Sequence, residues 1–154
     1  MQLASEHCVL VLDAIELGDD TMRRIIDQLV SDNFVCKVIH SDNYALDWFH
    51  RKFSIQVGHC ISDTAANAEE LDGRWQSERP SLQRLCCQYL HYSLETLDET
   101  ADWNHRPTPG AMLSYAATRF QVLLPLQAAI VNTMKRDWAY EAALTCGGGG
   151  EGAG

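Results

Sequence analysis

Residues 120–131 (FQVLLPLQAAIV) are apolar around every side of a helix, and this constrains the fold more than any other feature of the chain. A helix that is hydrophobic all round has no face to offer to water and belongs at the centre of a domain. The helical pattern extends from about residue 109 to residue 144, with Thr108 and Pro109 suited to the N-cap and first-turn positions. Pro125 lacks the amide proton that an uninterrupted helix needs, so a kink or split is expected there.

The amino-terminal half reads differently. Residues 8–15 (CVLVLDAI) form a β-rich apolar run, after which Asp19 and Asp20 precede Met22, Ile25, Ile26, Leu29 and Val30 at helical spacing. A break at Ser31, Asp32 and Asn33 leads into residues 34–39 (FVCKVI), a second buried strand. These segments predict a β-α-β unit whose two strands are parallel neighbours. Asp42 is placed to cap a short helix, and Phe53, Ile55, Val57, His59 and Ile61 alternate at period two as a third strand.

Leu82, Leu85, Cys86, Tyr89, Leu90 and Leu97 share one helical stripe that ends near Asp102, before a turn-rich stretch at residues 104–107. The expected fold is therefore α+β, or a small α/β. It has a two- or three-stranded sheet with a β-α-β start, packed on two long C-terminal helices. Residues 1–146 read as one domain, with an α/β half at 1–73 and a helical half at 80–146, and residues 147–154 (GGGGEGAG) as a flexible tail. Were residues 8–17 helical, the fold would be an all-α bundle instead, because short apolar runs do not separate buried strand from buried helix.

The chain has 154 residues, a formal net charge of -9, and 12 Lys and Arg scattered singly or in pairs. That field disfavours direct nucleic-acid binding, which draws its affinity from phosphate neutralisation, and favours a basic protein surface as partner. No run approaches the roughly 20 apolar residues of a membrane span, and the first residues lack the basic start of a secretory signal; a cytoplasmic setting is expected. The six cysteines lie mostly in apolar segments, as small hydrophobes rather than a disulfide framework.

Four constellations carry potential chemistry. Asp13, Asp42 and Asp63 fall at strand ends, where carboxylates gather around Mg²⁺ in phosphoryl-transfer or nuclease sites; as helix N-caps they have a simpler role. His59 and Cys60, with Cys87 and His91 four apart and Cys86 as an alternative donor, offer corners of a zinc site but lack paired Cys-x-x-Cys spacing. Arg84 and His91 lie seven apart on one helical face. That spacing resembles the Arg and His signature of HEPN-type ribonucleases, which implies His91 as general base and Arg84 as phosphate stabiliser; Leu85 departs from the polar residue usual after the arginine.

The fourth constellation is an acidic stripe, Glu95, Asp98, Glu99 and Asp102, followed by Trp103 and with Trp75 in the preceding connection. Acids in the last turns of a helix oppose its dipole and repel one another, so the stripe reads as a surface kept for a partner, with Trp103 as an anchor. The sequence thus points first to a non-catalytic, cofactor-free acidic interaction protein. It would be an inhibitor, adaptor or immunity-type regulator binding a basic protein, one that handles nucleic acid among the candidates. The second reading is the metal-dependent phosphoryl-transfer enzyme or nuclease at Asp13, Asp42 and Asp63. The third is a homo-oligomeric structural protein joined through the last helix.

Overall fold

The computed structural model describes residues 1–41, 43–73, 79–95 and 101–147. The chain opens with a hairpin: β1 (Gln2–Ala4) pairs antiparallel with β2 (Val9–Val11), with Leu3 opposite Leu10. Its turn is built by Ser5, whose Oγ accepts from the amides of His7 and Cys8 at 3.3 and 3.2 Å. At the open end the Met1 ammonium donates to the Leu12 carbonyl at 2.8 Å, and the Leu12 amide returns a bond to Met1 at 2.7 Å.

Helix α1 (Ala14–Val30) follows directly, capped by Asp13, whose Oδ1 accepts from the amides of Ile15 and Glu16. Gly18 breaks it at φ 71°, and the regular helix runs on from Asp19. Met22, Ile26 and Val30, spaced by four, are its buried face and pack with Phe53 and Ile55.

Strand β3 (Lys37–Ile39), helix α2 (Asn43–Phe53) and strand β4 (Ile61–Asp63) form the parallel unit, with Val38 opposite Ser62. Helix α3 (Thr64–Asp72) is capped by Asp63 and ends on Gly73 at φ 55°. The β-α-β unit therefore lies one step further along the chain than the sequence suggested. The run at residues 8–15 pairs backwards with Gln2–Ala4, a partner too short and polar-flanked to announce itself. The alternating segment from Phe53 is the end of α2, stopped by Ser54 at φ 56°, and an extended loop; only Ile61 and the two residues after it pair as a strand.

In that loop Gly58 is required by close approach. A Cβ there would lie 2.8 Å from Asn33 Oδ1 and 2.9 Å from the Asp32 carbonyl. The Gly58 amide bonds the Val30 carbonyl at 2.8 Å, and His59 N donates to Asn33 Oδ1 at 2.8 Å, fastening the loop to the end of α1.

The first expected long C-terminal helix is short. It consists of α4 (Leu82–Leu85), capped by Ser81, and a π turn at Cys86–Leu90, which His91 ends at φ 52°. The second is divided as Pro125 implied, into α5 (Gly110–Gln121) and α6 (Leu123–Gly147), with Pro125 in the first turn of α6 where its missing N–H costs nothing. Thr108 and Pro109 lie just ahead of α5, and the Pro109 carbonyl, rather than the Thr108 side chain, accepts from Met112 and Leu113.

Val122, Leu123, Leu126, Ile130 and Met134 form the main core with Leu82, Leu85, Cys86, Leu94 and Ala68, so the all-apolar segment is central. The mixture of helix and sheet is α+β in kind and rules out the all-α bundle. Between the two strand pairs lies an apolar cavity of about 540 Å³, walled by Leu3 of β1, Val38 of β3, Ile26, Phe49, Phe120 and Leu124. No helix among the described residues is long and apolar enough to cross a membrane.

Candidate functional site

Beyond the carboxyl ends of β3 and β4, polar and cationic side chains gather. Asp63 closes β4, and its Oδ1 accepts from the amides of Ser41 at 3.0 Å and Ala65 at 2.9 Å, locking the exit of β3 to the start of α3. Its Oδ2 lies 3.7 Å from Arg79, which also lies 3.7 Å from Glu69. The fully buried Thr64 donates from Oγ1 to the Ile39 carbonyl at 3.2 Å and meets His40 Nδ1 at 2.9 Å.

Burial holds His40 below its ordinary pKa, and the nearby Arg119 guanidinium adds to the effect; Asp63 and a hydrogen bond with the Pro80 backbone oppose it. His40 is therefore a neutral imidazole at neutral pH. Arg119 rises from α5 and rests on Tyr115, one turn earlier, with its guanidinium 5.4 Å from the ring centre and an N–H bonded to Tyr115 Oη at 3.2 Å. No acidic side chain among the described residues forms an ion pair with it. Trp103 continues the row, its ring 6.5 Å from that of Tyr115 and tilted by 43°. The arrangement is a strip of Trp103, Tyr115 and Arg119 leading to His40, Asp63 and Arg79.

Asp63 is in this site. Asp13 lies at the start of α1 and holds Arg106 in a two-pronged pair, Nε to Oδ2 at 2.5 Å and Nη2 to Oδ1 at 2.9 Å; the hydrogen bonds from Arg106 hold its carboxyl below the usual range. Asp42, Asp98 and Glu99 lie outside the described residues, as does Trp75. Glu95 is exposed and belongs to no helix. Asp102 turns the loop before α5, its Oδ1 accepting from Asn104 N at 2.9 Å.

Arg84 sits in α4, whereas His91 lies past the π turn in a left-handed conformation, so they do not share one regular helical face. His59, Cys60, Cys87 and His91 do not converge as a metal-binding group. The sequence reading missed His40, Thr64, Arg79, Tyr115 and Arg119. A signal existed for three of them: His40 directly follows a strand, and Tyr115 and Arg119 are four apart on a helix.

A parallel strand pair that presents polar groups at its carboxyl ends is the layout in which open α/β sheets bind their ligands. The particular family follows from comparison: residues 1–135 match the model of the 3′-5′ exonuclease family, and the chain belongs to it. It is 29% identical over 124 residues to human exosome complex component 10, covering 80% of this chain but only 13% of that protein. Among solved structures, Escherichia coli RNase D superposes with a TM-score of 0.71 at 22% identity, over 94% of this chain and 37% of that one. Brucella melitensis NrnC with bound Mg²⁺ gives 0.59 at 24% identity, over 77% and 56%. These likenesses show the fold.

Family membership corrects the first sequence reading. Membership of the 3′-5′ exonuclease family contradicts the reading as a non-catalytic acidic inhibitor, adaptor or regulator of a basic protein, and the expectation of no direct nucleic acid falls with it. Of the three readings, the phosphoryl-transfer or nuclease alternative fits the comparisons best. The error was to treat a net charge of -9 as a uniform field. Phosphates respond to the few cations within about one Debye length, roughly 10 Å at moderate salt, and here Arg119 stands by the end of β3 beside His40.

Because a structural relative carries Mg²⁺, the donor set can be tested for one. Asp63 Oδ1 already accepts two amides and Oδ2 faces Arg79, while both oxygens of Asp13 are held by Arg106. No three His, Cys, Asp or Glu side chains converge among the described residues. Those residues by themselves do not fit a divalent-cation cage.

Proposed function

We propose that this chain is an RNA-binding 3′-5′ exonuclease-family domain that receives the 3′-terminal phosphodiester beyond the carboxyl ends of β3 and β4. The observation that carries the reading is Arg119, a half-buried guanidinium without an ion-pair partner among the described residues, set on Tyr115 beside the partly buried His40. RNA is favoured over DNA because the superposable RNase D is an exoribonuclease involved in structured RNA processing.

In this reading Arg119 donates to a non-bridging phosphate oxygen, and its stacking on Tyr115 fixes the direction of the fork. Arg79, held at 3.7 Å from both Asp63 and Glu69, steadies Asp63 and leaves the phosphate contact to Arg119. Tyr115 and the 43% exposed Trp103 offer faces on which single-stranded bases stack, each worth about 1–3 kcal/mol. Neutral His40 presents no charge that would distinguish phosphate from solvent at neutral pH. Its bond with Thr64, itself bonded to the Ile39 carbonyl, holds the β3 exit in shape. Hydrolysis of the bound end needs carboxylates beyond Asp13 and Asp63.

The experiment is a fluorescence anisotropy titration of a 5′-labelled single-stranded oligoribonucleotide, first in EDTA and then in Mg²⁺. Association in EDTA on the scale of roughly 1–100 μM, weakening as salt rises, is expected. An anisotropy that stays flat to several hundred micromolar protein at low salt contradicts the reading.

A further inference from the structure

Cys36 and Cys60 immediately precede the paired strands β3 and β4. The register joins Lys37 to Ile61, and the Lys37 amide donates to the Cys60 carbonyl at 2.9 Å. One step back, Cys36 and Cys60 are thus direct cross-strand neighbours. In a parallel pair such neighbours put their side chains on the same face with backbones about 4.8 Å apart, inside the roughly 4.4–6.8 Å Cα window of disulfides. Both are free thiols; Cys36 is exposed and Cys60 partly so. Cys8 and Cys87 are also exposed, but the strand pairing gives neither of them such a partner.

We propose that Cys36 and Cys60 form a peroxide-sensitive dithiol, a modification site that closes to an intramolecular disulfide across the amino ends of β3 and β4. The balance needs one equivalent of hydrogen peroxide. A thiolate of the pair attacks the peroxide, breaking the O–O bond, gaining oxygen as a sulfenic acid and releasing hydroxide. The second sulfur then displaces hydroxide from the sulfenic sulfur and forms the S–S bond. The thiol protons neutralise both hydroxides, so two thiols and one peroxide give one disulfide and two waters.

Burial and the neighbouring Cys60 hold the Cys36 thiol above its ordinary pKa, so closure quickens as pH rises through the alkaline range. The bridge would enclose α2 and the loop carrying Gly58 in one covalent ring. It lies at the opposite end of the strand pair from Asp63 and does not touch the candidate RNA site.

The test treats the intact chain with one equivalent of hydrogen peroxide, alkylates the remaining thiols, and maps tryptic peptides without reduction. The expected product joins peptide 25–37 to peptide 53–74, two hydrogens lighter than their sum, and dithiothreitol restores both thiols. In parallel, the oxidised protein unfolds roughly 6–12 °C higher than the reduced one, as a ring of this length implies, and Cys60→Ser abolishes that rise while folding normally. Links scattered over Cys8 and Cys87, or Cys36 and Cys60 recovered as separate sulfinic acids, would overturn the proposal.

Discussion

Asp13 and Arg106, 93 positions apart, are joined by two parallel hydrogen bonds that tie the start of α1 to the loop before α5. The same carboxylate caps α1, so one side chain serves a helix end and a long-range contact together. The pair gives the sequence-nominated Asp13 a structural role.

Because the folded carboxyl lies below its ordinary 3.8, the stability it contributes is present above that value and is lost as pH falls through the folded pKa. Arg106→Leu should lower the thermal midpoint at pH 7, with the difference from the parent vanishing in strong acid. In carboxyl-carbon NMR titrations the Asp13 pKa should return towards its ordinary value. Asp13→Asn should leave the Mg²⁺ dependence of RNA association unchanged, whereas a changed dependence would place Asp13 in the site.

His40 has the opposite sign logic. Its folded pKa is depressed, so the unfolded chain takes up the proton first, and stability is complete above about 6.5 and falls as pH drops below it. Unfolding curves between pH 7.5 and 5 should show this decline, and His40→Gln should flatten it. An equal slope in the variant would mean that another group titrates.

Gly58→Ala forces its methyl against the Asp32 carbonyl and Asn33 Oδ1. A loss of roughly 1–3 kcal/mol in urea unfolding is expected, the usual range for overpacking. Stability at or above that of the parent would show that the loop can yield.

Leu126 is fully buried in the main core beside Ile130 and Leu85. Leu126→Ala should cost about 2–5 kcal/mol by chemical denaturation. A cost under 1 kcal/mol would mean that α6 does not form the centre of the fold.

The central placement of α6 was legible because all-round hydrophobicity leaves one solution, and the split near Pro125 was legible from the chemistry of proline. Strand pairing was not. Residues 8–15 and 34–39 carry similar apolar content, and nothing local says that the first turns back on Gln2–Ala4 while the second waits for Ile61. The C-terminal acidic stripe was drawn on a helix that ends at the π turn, and helical spacing cannot register a left-handed residue such as His91. The strand-end rule pointed to Asp63, and the structure places it as the last residue of β4. Arg119 and Tyr115 escaped because they come from a helix some fifty residues later, and Arg119 comes near His40 only through tertiary packing.

The central claim is that RNA ends beyond the carboxyl ends of β3 and β4, against Arg119. The most direct measurement is photocrosslinking of an oligoribonucleotide carrying 4-thiouridine at its 3′ end, with the attached peptides mapped by mass spectrometry and Arg119→Ala run alongside. Adducts within residues 40–41, 63–64, 79 and 103–119, reduced about tenfold in the variant, are the predicted result. Adducts concentrated at the exposed Trp138 and Tyr140 of α6, or a yield indifferent to Arg119, would contradict it.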